Sequence, residues 1–124
     1  MSCILCELIN DASKRICENE YMVAIWDGFP VSMGHALIVP KRHVESLFEL
    51  TDEELKSAYE LIVGTKVILD YKYSPNGYNI GINEGRAAGR TIDHAHIHII
   101  PRYDGDIDDP RGGVRGVIPD KRIY

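Results

Sequence analysis

The sequence predicts an α+β domain in which an antiparallel sheet is covered by helix on one face. Three observations predict it: short apolar runs bounded by turn formers, one long stretch of helical periodicity, and the resulting order strand, strand, long helix, strand, strand. "YMVAIWD" (21–27) follows the turn-like "ENE" and reads as a strand. "GHALIVP" (34–40) reads as a second, ended by Pro40, with the turn-rich "DGFPVSMG" between them. The helix is the clearest element. Thr51 can cap it, Glu54 stands where a capping box needs it, and Leu55, Ala58, Tyr59, Ile62 and Leu69 recur at helical spacing, which carries it to about Tyr71. "SPNG" then turns the chain into "YNIGIN" (78–83), and the glycine-rich "EGRAAGR" leads to the last strand, "DHAHIHIIPR" (93–102). Ahead of these, "CELIND" allows a short first helix. After Pro101 the chain is rich in Gly, Pro and Asp, so the domain is read as residues 1–102 with an irregular tail over 103–124.

A chain of 124 residues, 44% hydrophobic and 27% charged, is one domain able to bury a core without staples. No N-terminal stretch has the basic start and apolar run of a signal peptide, and no apolar run is long enough to span a bilayer. Three unevenly spaced cysteines make a poor disulfide framework, so a cytoplasmic protein without membrane contact is expected. The net charge of −5 argues against a nucleic-acid binder. Residues 1–85 hold the acidic excess and residues 86–124 are slightly basic, so an anion is expected near the C-terminal third.

Three of the five histidines stand at every second position of one stretch: His94, His96 and His98. On a strand that period puts all three on one face, about 7 Å apart, with Ala95, Ile97 and Ile99 facing the core. Such a row can be a solvated edge, a catalytic metal site, or a nucleophile with flanking charge-steadying groups. A catalytic metal site calls for a carboxylate base on the same face, and Asp93 faces the other way. The strand is instead entered through "GRAAGRT", whose glycines let backbone approach an anion and whose Arg90 and Thr91 offer donors. Donors beside a nucleophile suit phosphorus chemistry.

"HAHIHII" resembles the histidine-triad signature of the HIT superfamily of nucleotide hydrolases and transferases. "GHALIVPKRH", "NEGRAAGRT" and "WDGFPVSMGH" resemble that family's second-strand, phosphate-loop and nucleoside-side motifs, in the same order. The resemblance implies a HIT-like fold with about five antiparallel strands, one long and one short helix, and the tail packed on or near the active site. It makes His96 the nucleophile on an α-phosphorus, forming a nucleotidyl-histidine that water cleaves. It further implies phosphate contacts from His98 and His35, ribose contacts from Asp27, phosphate-side positions at Asn83, Gly89 and Thr91, and substrate contact at Ile25. Arg90 stands where most relatives carry glutamine, which favours a substrate with extra phosphates beyond the scissile bond. The implied activity is hydrolysis of dinucleoside polyphosphates such as diadenosine tetraphosphate, or of related nucleotide conjugates. A phosphorylase or transferase, a nucleoside phosphoramidase, and a non-catalytic nucleotide-binding module are the alternatives.

"CILC" has a spacing common in zinc sites, and His43 and His94 would complete a tetrahedral shell with Cys3 and Cys6. Relatives with an N-terminal C-x-x-C resemble this pattern and hold a structural metal there, so a structural zinc ion is expected, against free thiols. No organic cofactor is expected. Cys17 reads as a packing residue. Relatives of this size pair as homodimers, and a copy could cover the helix or an edge strand.

Overall fold

A computed structural model describes residues 3–124. The elements are helix α1 (Ile4–Leu8), strands β1 (Arg15–Glu18), β2 (Met22–Trp26) and β3 (Ala36–Pro40), helix α2 (Asp52–Tyr73), and strands β4 (Gly77–Gly81) and β5 (Ile97–Arg102). They form one antiparallel sheet in the order β1-β2-β3-β5-β4, the expected α+β arrangement with a long and a short helix.

Both faces of the sheet are covered, not one. Met22, Ala24, Ala36, Ile38 and Ile99 pack against Ala58, Leu61 and Leu69 of α2. The intervening residues Val23, Ile25, Leu37 and Val39 pack on the other side against Leu5 and Ile9 at α1. The alternation of a strand therefore feeds two cores, which is why β2 and β3 read as nearly continuous apolar runs. Fully buried Ile38, Ile99 and Leu69 each contribute about 1.5–3 kcal/mol through burial.

The α2 N-terminus is the capping box that Thr51 and Glu54 predict: each side chain accepts the other's backbone N–H. Glu54 is also buried under Arg42, whose guanidinium lies 2.7 Å from it and holds its carboxyl below the usual range. The helix runs to Tyr73 and ends at Ser74 in the left-handed region, φ 47°, because Pro75 disfavours α-helical backbone before it. Its inner face keeps Ala58, Ile62 and Leu69 of the expected set and loses Leu55 and Tyr59. Ser57, Ala58, Leu61, Thr65 and Leu69 meet the sheet, whereas Leu55 and Tyr59 face outward at 42% and 67% exposure. Small residues let the helix sit close on β1 and β2, with Ser57 donating to Asn19 and Cys17 near Thr65.

Strand β1, which carries Cys17, is the fifth strand that the family resemblance implies, though the sequence gives it no range of its own. Its four residues are too few and too evenly half-buried to show a period. The histidine strand is shorter than expected: only 97–102 pair with β3 and β4. His94 and His96 lie in the segment leading into it, where Ala95 N–H donates to Val44 O at 2.7 Å. The tail over 103–124 carries two short 3-10 turns, Gly113–Val117 and Pro119–Lys121.

Candidate active site and metal cluster

The loop between β2 and β3 returns the chain through Gly34, whose φ is +90° and where a Cβ would stand 2.8 Å from the Tyr73 ring. Only glycine lets the loop pass the last turn of α2, and that passage fixes His35 just ahead of β3. His35 is 4% exposed. Val31 N–H donates to its Nδ1 at 3.1 Å. A backbone N–H can only donate, so neutral His35 carries its proton on Nε2. That proton is donated to His98 Nδ1 at 2.9 Å, which leaves His98 protonated on Nε2. Asp27 Oδ2 lies 3.4 Å from His35 Nε2, and Oδ1 accepts from Phe29 N–H at 2.7 Å. Burial holds the pKa of His35 below the ordinary imidazole value, partly offset by Asp27; burial, then His96 and His35, does the same for His98. Both rings are therefore neutral at pH 7.

His96 has the opposite polarity. Its Nδ1 lies 2.8 Å from His94 O, which can only accept, so in the neutral ring Nδ1 carries the proton and Nε2 keeps a free lone pair. The His96 and His98 ring centroids are 5.1 Å apart, closer than a regular strand would set them. A bare ring nitrogen thus stands beside a ring N–H, the pairing needed to attack a phosphorus while stabilising its oxygens. The adjoining cavity, about 380 Å³, is lined by His35, His98, Gly81 and Asn83 among others.

The phosphate-loop segment makes one 3-10 turn, Arg86–Ala88, capped by Gly89 at φ +95°, where other residues would be strained. Thr91 is exposed beside it. Arg90 donates to Glu45 O at 2.9 Å and lies 3.7 Å from Glu84 and 3.3 Å from Asp93, so its charge is met within the loop. Ile25 is wholly buried in the α1-side core. The structure thus brings His35, His96, His98, Asp27 and Asn83 to one end of the sheet, with Gly89, Arg90 and Thr91 in the neighbouring loop and Ile25 beneath. Nothing in the sequence singles out Val31, whose backbone orders the whole histidine chain, because the contact depends on how the loop closes.

Cys3, Cys6, His43 and His94 meet at the N-terminal end of this segment, with ligand atoms all within 4.8 Å of one another. His94 Nδ1 is 3.4 Å from Cys3 Sγ and 3.5 Å from Cys6 Sγ, and His43 Nδ1 is 3.3 Å from Cys6 Sγ. These separations match the edges of a tetrahedron with metal–sulfur distances of about 2.3 Å and metal–nitrogen of about 2.0–2.1 Å. Buried His94 donates from Nε2 to Pro40 O at 2.9 Å, which leaves Nδ1 unprotonated toward the thiols, as a metal ligand requires. Burial and Cys3 raise the Cys6 pKa, a tendency a bound dication reverses. The residues fit a divalent metal ion.

A five-stranded antiparallel sheet with this histidine row at one end is the arrangement of the histidine-triad class of proteins. The chain belongs to the HIT domain family, with residues 10–105 matching that domain. An uncharacterised HIT-like protein of Methanocaldococcus jannaschii is 42% identical over 106 residues, 84% of this chain and 81% of that one. An adenosine 5'-monophosphoramidase of Schizosaccharomyces pombe is 37% identical over 105 residues, 82% of this chain and 75% of that one. A bis(5'-nucleosyl)-tetraphosphatase of the same yeast is 36% identical over 80 residues, 64% of this chain and 44% of that one. Among solved structures, a HIT family protein from Bacillus subtilis superposes with a TM-score of 0.77 at 34% identity, covering 85% of this chain and 76% of that one. A zinc-bound histidine triad protein from Mycobacterium smegmatis gives 0.72 at 34%, covering 86% and 78%. No helix among the described residues is long and apolar enough to cross a membrane.

Proposed function

We propose that the protein is a nucleotidyl hydrolase that cleaves dinucleoside polyphosphates, diadenosine tetraphosphate among them, at the α-phosphorus. The observation that carries this is the His96 Nδ1 to His94 O hydrogen bond of 2.8 Å, which keeps the Nε2 lone pair free for attack. His96 Nε2 bonds to phosphorus as the phosphoanhydride bond to the leaving nucleotide breaks. The positive charge on the imidazole is shared with the His94 carbonyl. His98 Nε2–H donates to a phosphate oxygen, and His35 acts as a positioning residue that holds His98 in this tautomer. Water then attacks phosphorus and the P–N bond breaks, releasing the nucleoside monophosphate. Asp27 accepts the ribose hydroxyls, and Asn83, Gly89 and Thr91 face the phosphates. Rapid quench with α-labelled diadenosine tetraphosphate should trap a nucleotidyl group on His96 by mass spectrometry; turnover by a His96→Gly variant at the wild-type rate would refute the mechanism.

The similarity to a phosphoramidase over most of both chains supports a second reading, hydrolysis of nucleoside phosphoramidates through the same intermediate. Phosphate in place of water would make the enzyme a phosphorylase, recognised by ADP formed only with added phosphate. Loss of all turnover with nucleotide binding retained would point to a binding module. The metal, in this reading, is structural zinc held by Cys3, Cys6, His43 and His94; bound there it ties the N-terminus to the active-site segment. A homodimer is supported by the outer face of α2, where Leu55, Tyr59, Val63, Val67 and Tyr71 recur every fourth residue at 42%, 67%, 46%, 63% and 90% exposure. The cytoplasm is the proposed location.

A further inference from the structure

The sheet order sets a direction across the site. Asp27 stands at the end of β2, His98 on β5, and Asn79 and Gly81 on the edge strand β4. With the ribose at Asp27 and the phosphorus at the histidines, the leaving half of the substrate lies over β4. There the cavity at His98 shares Val31, Asn79 and Ile100 with a second of about 710 Å³ that runs on to Tyr103 and Ile107. Val114 and Val117 of the C-terminal segment wall the first cavity.

The arginines of that segment are used to fold it, and Lys121 lines neither cavity. Arg122 donates to Asp109 O at 2.9 Å and Arg111 O at 2.6 Å, and Arg115 donates to Lys121 O at 2.8 Å and lies over the Tyr124 ring at 4.5 Å. Arg111 is paired with Asp109 at 2.8 Å. Gly112, at φ +90°, passes so close to the Arg122 carbonyl that a Cβ would overlap it. What the segment presents to the groove is therefore its valines, 64% and 80% exposed and so outside any core. The one guanidinium lining the groove, Arg102, is held by Asp106 at 2.7 and 2.9 Å and by Asn79 at 2.6 Å. A bare polyphosphate would need unpaired cations here. An apolar wall with exposed valines gains instead by covering a flat ring.

We infer that residues 111–122 build the subsite for the leaving half of the substrate, and that it binds a second nucleobase rather than a phosphate chain alone. The inference rests on the hydrolase reading above. The matched probes are diadenosine tetraphosphate and adenosine 5'-tetraphosphate, which share the phosphate chain and differ by the second adenosine. Counted per attackable α-phosphorus, wild-type kcat/KM should favour the dinucleotide about tenfold, the gain expected from covering one ring. Val114→Asp/Val117→Asp should bring the ratio close to one, and Val117→Ile should retain it. Both side chains are exposed, so the fold tolerates these changes. A wild-type ratio near one, or a ratio that the double variant leaves unchanged, overturns the inference. If wild type turns over neither nucleotide, the hydrolase reading fails. Calorimetric titration with the same pair then decides the subsite: a tenfold Kd preference lost in the double variant supports it, and equal Kd values overturn it.

Discussion

Replacing His35 with alanine tests the histidine chain at a buried link. The wild-type ring accepts from Val31 N–H at 3.1 Å and donates to His98 at 2.9 Å while 4% exposed. Two net hydrogen bonds at about 1 kcal/mol each, together with part of a ring-sized cavity, predict a stability loss of about 2–4 kcal/mol. The catalytic effect follows from proton placement. His98 keeps its proton on Nε2 only because Nδ1 is occupied as an acceptor, and without His35 either nitrogen can carry it. The expected fall in kcat is about 10²–10³-fold, the size of losing one aligned donor to a developing anion. Stopped-flow turnover of diadenosine tetraphosphate gives kcat and KM, and nitrogen-15 shifts of the His98 ring give its tautomer. A merely structural role would lower the melting temperature and leave the tautomer alone. Pure Nε2–H tautomer in the variant, or kcat within about threefold of wild type, would refute the reasoning.

Cys6→Ser should remove bound zinc and lower the melting temperature by about ten degrees, for a loss of about 3 kcal/mol, with a smaller effect on the single-turnover rate; equal zinc content in variant and wild type would end the metal assignment. Stability should fall as the solution is acidified. The folded-state pKa of His35 is lowered, so below about pH 6.5 the unfolded chain takes up a proton that the folded one refuses, down to the lowered value. Denaturant titrations of His35→Gln should show a shallower loss between pH 7 and 5 than wild type, and identical slopes would count against neutral burial. Tyr59→Glu with Val67→Glu places charge on the outer face of α2 and should halve the molar mass seen by light scattering; a monomeric wild type would remove the proposed interface.

The features legible along the chain are those whose physics is local. A capping box needs only Thr51 and Glu54 three residues apart, and a triad needs only alternate positions, so both could be read before any folding was considered. The apolar runs of β2 and β3 marked them as strands, but their burial on both faces, against the one covered face expected, came from α1 folding back onto the second side. Periodicity did mislead for α2, because hydrophobic spacing marks two stripes on that helix. Ser57, Ala58 and Thr65, small rather than strongly apolar, decide which stripe meets the sheet. The polarity of His98 came only from the tertiary structure, since its proton is set by a ring that Val31 orders, whereas the His96 proton goes to a carbonyl two residues back, the backbone hydrogen bond that a nucleophilic imidazole calls for. The slightly basic C-terminal third reads in the sequence as a place for an anion, whereas in the structure the tail's arginines tie the segment together and turn Val114 and Val117 toward the groove, because a guanidinium fills its donors with whatever carbonyls the fold brings near.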